Sequence, residues 1–257
     1  MRTLLLVALS GLSTNAWILA QSIDLFEIKV YQPETLPQGK WELETHLNYI
    51  ARGTKQAEGR EAPTDNQLHL SLEFTRGLAE NFQMAGFLLV AERPGGGFEY
   101  AGARLFPLMK APERWNLPVD LGLAFELGFP RPQYEASSVT FGVRPLVGKR
   151  FSTWQVLANL GLERAWRGPE TEEGFEFKPS VKLSYFLKKE RIHAGVEYYA
   201  STGPLTHFEV VEKQVHVIFP ALDVFFHEKW EANLGAGLGM TEAGERLILK
   251  LRFGYRF

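Results

Sequence analysis

Apolar and polar residues alternate with a period of two along most of this 257-residue chain, in runs too long for an ordinary soluble sheet. Trp41–Tyr49 (WELETHLNY) sets Trp, Leu, Thr, Leu and Tyr against Glu, Glu, His and Asn. Gln67–Thr75 (QLHLSLEFT) places Leu68, Leu70, Leu72 and Phe74 on one side, with His69, Ser71 and Glu73 on the other. Val119–Phe129 and Trp154–Glu163 repeat the scheme. Successive strand side chains point to opposite faces, so each run builds a strand with one apolar face. About twelve such runs fall near 40–51, 67–77, 81–92, 97–106, 118–129, 137–147, 153–165, 175–187, 191–201, 213–224, 230–241 and 245–257. Each is about 10–13 residues long, whereas strands of globular proteins cluster near about 5–6 and a tilted strand needs about 9–11 to cross a bilayer core. The expected fold is all-β: a transmembrane, antiparallel, up-and-down β-barrel of about twelve strands, occupying residues 39–257.

The connections alternate in character. One set (52–66, 93–96, 130–136, 166–174, 202–212, 242–244) holds the longest and most polar segments, including Arg167–Gly174 (RGPETEEG). The other is mostly tight turns such as Gly148–Arg150, with Pro107–Leu117 as its exception. Outer-membrane barrels pair long extracellular loops with short periplasmic turns, and an even strand number puts both chain ends in the periplasm. Aromatic residues, 13% of the chain, recur at the two ends of the same strands: Trp41 and Tyr49, Trp154 and Trp166, Phe175 and Tyr185, with Trp230 opening the eleventh. That spacing predicts paired interfacial girdles.

The N-terminus reads as a secretory signal peptide over residues 1–20. Arg2 precedes the apolar run Thr3–Leu12, small and polar residues follow, and cleavage falls after Ala16 or Ala20. No later run approaches the ~18 apolar residues of a spanning helix. Residues 21–38 alternate weakly and end at Pro33 and Pro37, so they are expected to form a periplasmic arm or a plug in the barrel mouth. The absence of cysteine excludes disulfides, thiolate metal sites and cysteine nucleophiles. A formal charge of −2 argues against a nucleic-acid partner.

The last strand, Leu247–Phe257 (LILKLRFGYRF), alternates apolar residues up to a terminal Phe257. It resembles the C-terminal signal strand by which bacterial outer-membrane barrels are recognised for insertion, which implies the barrel-assembly machinery as a partner. Phe26–Tyr31, Gly39–Thr45, Leu72–Glu80 and Leu121–Phe129 together look like a group of transporter-like outer-membrane proteins labelled "MetA-pathway of phenol degradation". That resemblance implies a barrel passing small, often aromatic or hydrophobic, molecules. It carries over no catalytic or binding residue.

With the apolar face turned to lipid, parity collects an inward, lumen-lining set: Glu42, Glu44, His46, His69, Glu73, Arg104, Asp120, Glu126, Arg144, Glu163, Lys178, Lys182, His193, Glu197, Lys250, Arg252 and Arg256, joined by Asn159, Glu231 and Asn233. A Lys or Arg left in hydrocarbon costs about 2–4 kcal/mol at the midplane. Arg104 therefore turns Tyr100 and Gly102 inward with it and leaves Ala101, Ala103 and Leu105 to lipid. The strands at Phe82–Val90 and Val215–Val224 show weak phase, and their facing stays open. Strand twelve must close on strand one, which brings Arg252 and Arg256 toward Glu42, Glu44 and His46 and predicts ion pairs across that seam.

Catalytic groupings are thin. His46, His69, Ser71 and Glu73 share a face, but inward histidines in a hydrogen-bond network are the simpler account. His193 and Glu197 lack a second histidine at ligand spacing, so no metal or other cofactor is expected. Gly235, Gly237 and Gly239 (GAGLG) have no following helix and read as room made inside the barrel. The sequence thus points to a non-enzymatic outer-membrane channel for passive passage of small molecules, with lipid and a small solute as partners. A lipid- or peptide-acting hydrolase and a non-conducting structural barrel are the alternatives.

Overall fold

In a computed structural model, residues 22–57, 59–188 and 191–257 are described; the expected signal peptide lies outside them. Twelve strands follow one another: β1 (Trp41–Arg52), β2 (Leu68–Ala79), β3 (Phe82–Glu92), β4 (Phe98–Lys110), β5 (Asp120–Pro130), β6 (Val139–Arg150), β7 (Trp154–Arg167), β8 (Glu176–Lys188), β9 (Ile192–Ser201), β10 (Val215–His227), β11 (Trp230–Gly239) and β12 (Leu247–Arg256). Every neighbour is antiparallel, and β12 pairs with β1 to close the barrel. Closure leaves no free sheet edge, which is what a strand-built membrane protein requires. Long connections gather at one end, hereafter the loop end, and short ones at the other, the turn end. The exception at Pro107–Leu117 is partly absorbed, because β4 runs on to Lys110 and a short 3-10 turn at Glu113–Trp115 packs the remainder.

Trp41, Trp154, Tyr185 and Trp230 are exposed rings near the turn end, and Tyr49, Phe129 and Trp166 are exposed near the loop end. Within the belts rings meet across strands, Trp154 on Tyr185 at 4.7 Å and Trp230 on Tyr255 at 4.1 Å between centroids. Between them lie the outward Leu, Val and Phe of alternate positions, such as Leu249, Leu251 and Phe253.

Residues 22–37 run through the interior from the loop end to the turn end. Ser22 lies against Glu245 in the last long connection, while Leu36 donates its N–H to Gln83 at the start of β3 and Thr35 bonds the Glu80 carbonyl. Ile23, Leu25, Phe26, Ile28, Val30 and Tyr31 are all buried there. They join two apolar clusters, one with Val215, Val217 and Phe219 of β10, the other with Phe87 and Leu89 of β3 and Phe106 and Leu108 of β4. This explains the weak phase of the third and tenth strands: both faces are apolar, one toward the outside of the barrel and one toward the arm.

One facing is corrected. A β-bulge between β3 and β4 pairs Leu89 with Gly102 and Val90 with Tyr100, leaving Ala101 extra. The inserted residue shifts the parity, as bulges do, so Tyr100 is exposed and Ala101 is fully buried, opposite to strict alternation from Arg104.

Two glycines make room inside. A Cβ on Gly77 would stand 2.2 Å from the Pro37 carbonyl oxygen, so the arm leaves the barrel directly over this residue's backbone. A Cβ on Gly237 would stand 2.3 Å from the ring of Phe219, itself fully buried against the arm. Gly237→Ala is expected to displace that ring and to cost about 1–3 kcal/mol, the range for overpacking a core. Urea titration of the refolded protein in lipid would show it as a lowered midpoint.

Candidate functional site: the arm-filled lumen

An extended segment inside a barrel cannot pair with the strands, whose backbone groups are used in the ladder, so its N–H and C=O groups need side-chain partners. The inward positions supply them. Asn159 accepts from the Tyr31 N–H at 2.7 Å and donates to the Tyr31 carbonyl at 2.9 Å. Asn48 donates to the Leu25 carbonyl (2.8 Å), Ser71 to that of Phe26 (2.8 Å) and Lys250 to that of Ile28 (3.1 Å). Charges add to this. Arg104 grips the Asp24 carboxylate through both terminal nitrogens and lies 3.4 Å from Glu126, which Arg144 also reaches at 3.3 Å. Lys29 bonds Glu44 and, at 3.2 Å, Glu73. Such fork-shaped and charge-assisted contacts are the stronger kind of hydrogen bond.

The other inward residues form wall-to-wall networks. At the closing seam Arg256 pairs with Glu42 (2.5 Å), Arg252 with Glu44 and both arginines with Glu231, so the expected seam ion pairs are present. His46 lies 3.2 Å from Glu73 and 3.7 Å from Glu44. Across the interior, Glu197 takes Lys250, Lys182 (3.0 Å), Tyr199 (2.7 Å) and Asn233 (3.1 Å), while Asp223 shares Lys182 and Asn233. Near the loop end Lys178 joins Glu163 (3.0 Å) and Glu176 (3.1 Å). Asp120 keeps the inward phase but is exposed, at the first residue of β5. His193 is buried between Phe186 and Phe225.

The catalytic grouping does not assemble. Ser71 spends its hydroxyl on the Phe26 carbonyl, and His69 bonds Gln67 at 2.8 Å. Parity missed the arm's own contributors, Asp24, Glu27 and Lys29, and the inward apolar patches. The available signal was the weak alternation of residues 22–37 beside two strands apolar on both faces.

Above the arm, at the loop end, lies a cavity of about 490 Å³ floored by Ser22–Phe26. Nine acidic and four basic side chains line it, so its field favours cations. Glu135 and Glu170, in loops outside the strands, both have carboxyls raised above their ordinary range. For each, burial is the main cause; Glu163 reinforces it at Glu135, and Ser137 partly opposes it at Glu170.

No family model matches the chain, and no curated protein matches it. Solved structures do resemble the fold. An outer membrane channel from Pseudomonas putida F1 aligns with a TM-score of 0.61 at 14% identity, over 90% of this chain and 100% of that one. The KdgM porin aligns at 0.55 and 9% identity, over 84% and 99%. The translocator domain of the autotransporter NalP from Neisseria meningitidis gives 0.50 and 12%, over 86% and 90%. At such identities the likeness is one of fold.

Proposed function

We propose that this is a bacterial outer-membrane channel for small solutes in which residues 22–37 act as a lumen plug. One observation carries it: an open vestibule at the loop end leads onto a barrel interior through which a single, mostly side-chain-tethered segment runs. The long connections then face the cell exterior and the turns the periplasm. Strand β12, with Phe257 directly after it, is the element offered to the barrel-assembly machinery. The likeness in fold to channel and porin barrels supports the same function. The charge of the vestibule favours small cationic or amine-bearing solutes at the entrance; the resemblance to the phenol-degradation group and the apolar clusters around the arm support aromatic ones deeper in. The tight filling of the lumen favours a second reading, a non-conducting structural barrel. Planar-bilayer recording separates them: no current from either the mature chain or a form lacking the arm would overturn the channel.

Selectivity supplies a further expectation. Across a KCl gradient the brief openings of the full mature chain should prefer K⁺ near pH 7. Glu135 and Glu170 have raised affinities for protons, so acidification neutralises them before carboxylates of ordinary pKa, about 4.3 for Glu. The reversal potential should therefore begin to shrink above that pH. An anion preference at pH 7, or a potential unchanged down to about pH 4, would refute the role assigned to the vestibule.

A further inference from the structure

We infer that Glu27, His46 and Glu73 form a binding site for one divalent first-row transition-metal ion, such as Zn²⁺ or Mn²⁺, that ties the arm to the barrel wall. Glu27 comes from the arm, His46 from β1 and Glu73 from β2, and one ligand atom of each lies within 4.8 Å of the others. All three residues are buried. The independent sign is Glu27 itself: neither of its carboxylate oxygens receives a hydrogen bond, although the residue is only 4% exposed. Its nearest cation, Arg104, stands 3.8 Å away and is already forked onto Asp24 and beside Glu126. A buried carboxylate without a donor is costly, and it lies within reach of an imidazole nitrogen and a second carboxylate.

Charge points the same way. The carboxylates of Glu27, Glu44 and Glu73 converge here, where Lys29 serves both Glu44 and Glu73, Arg252 is shared between Glu44 and Glu231, and Arg104 between Asp24, Glu126 and, at 3.8 Å, Glu27. Carboxylates thus outnumber the cations that serve them, an excess that a bound metal ion would offset. Zinc ligands sit about 2.0–2.2 Å from the ion, so tetrahedral donors are about 3.4 Å apart. His46 Nε2 and Glu73 Oε2 are already 3.2 Å apart, and side-chain rotation of Glu27 closes the rest. The mixed nitrogen and oxygen donor set suits Zn²⁺ and Mn²⁺ better than the all-oxygen cages of Ca²⁺.

The test is calorimetric titration of the refolded, chelator-stripped mature protein with Zn²⁺ and Mn²⁺, with Ca²⁺ and Mg²⁺ as controls. One tight equivalent of Zn²⁺ is expected. Losing an outer-shell partner of a metal ligand already costs about 10–100-fold in affinity, so Glu27→Gln and His46→Gln should each lose at least that. Glu27→Gln is isosteric, and its unchanged mobility shift on heating in a gel would verify the fold. In wild type alone, Zn²⁺ should raise the unfolding midpoint. Absence of a stoichiometric Zn²⁺ site in wild type, or equal binding by wild type and both variants, would overturn the site. The titration reads binding without conduction, so its failure and that of the channel reading are distinguishable.

Discussion

Deleting residues 22–37 is expected to convert a closed or briefly flickering barrel into one that carries a steady current in planar bilayers. The arm occupies the interior from loop end to turn end and buries six apolar side chains between Ile23 and Tyr31 in the two internal clusters. Its removal uncovers a lining in which Glu44, Glu73, Arg104, Asn159 and Lys250 lose arm partners and take water instead. Barrel closure does not depend on the arm, because β1–β12 pairing and the seam ion pairs are made between strands. A milder change should grade the effect. Asn159→Ala strips the Tyr31 N–H and carbonyl of the side-chain amide that each bonds in the lumen. An unsatisfied buried backbone group costs about 1–3 kcal/mol, and about 1.4 kcal/mol is tenfold in a population. Open time should then rise about tenfold or more over wild type, short of the full deletion. Equal currents from the full chain and the deletion would remove the plug, whatever their size.

The strand count, the antiparallel order and the closing partners were legible because a barrel in lipid allows little else. Each strand of about ten or more residues must keep one apolar face, and parity then sorts nearly every charge inward. Legibility failed where parity has no grip. The bulge at Ala101 adds one residue without a sequence mark strong enough to announce it, and it flips Tyr100 outward. The inward face of β3 and β10 is apolar because it meets the arm, so a pattern that contrasts lipid with water sees two similar faces. Parity speaks only of which face a charge takes, and the use of each charge was not visible. Asn48, Ser71 and Asn159 read as polar lining, and only the path of residues 22–37 shows that they complete the backbone of a segment with no strand to pair with.

Glu197→Ala should be the most damaging single substitution to stability. Its two oxygens serve Lys250, Lys182, Tyr199 and Asn233, and all five residues are buried. Removing one partner of a buried ion pair costs about 3–5 kcal/mol because the other charge is stranded, a larger loss than the pair's own contribution. Here two ammonium groups are involved, though unequally. Lys182 keeps Asp223 at 2.8 Å, whereas Lys250 retains only the Ile28 carbonyl at 3.1 Å and the faces of Tyr199 and Phe219. The loss should therefore pass mainly through Lys250. A second substitution, Lys250→Met, tests this: added to Glu197→Ala, it removes the stranded charge and should recover part of the lost unfolding free energy, since replacing a buried pair by apolar groups is often near neutral. Urea unfolding in lipid vesicles would read both. If the double variant is as unstable as the sum of the singles, the two side chains act independently and the stranded-charge account is wrong.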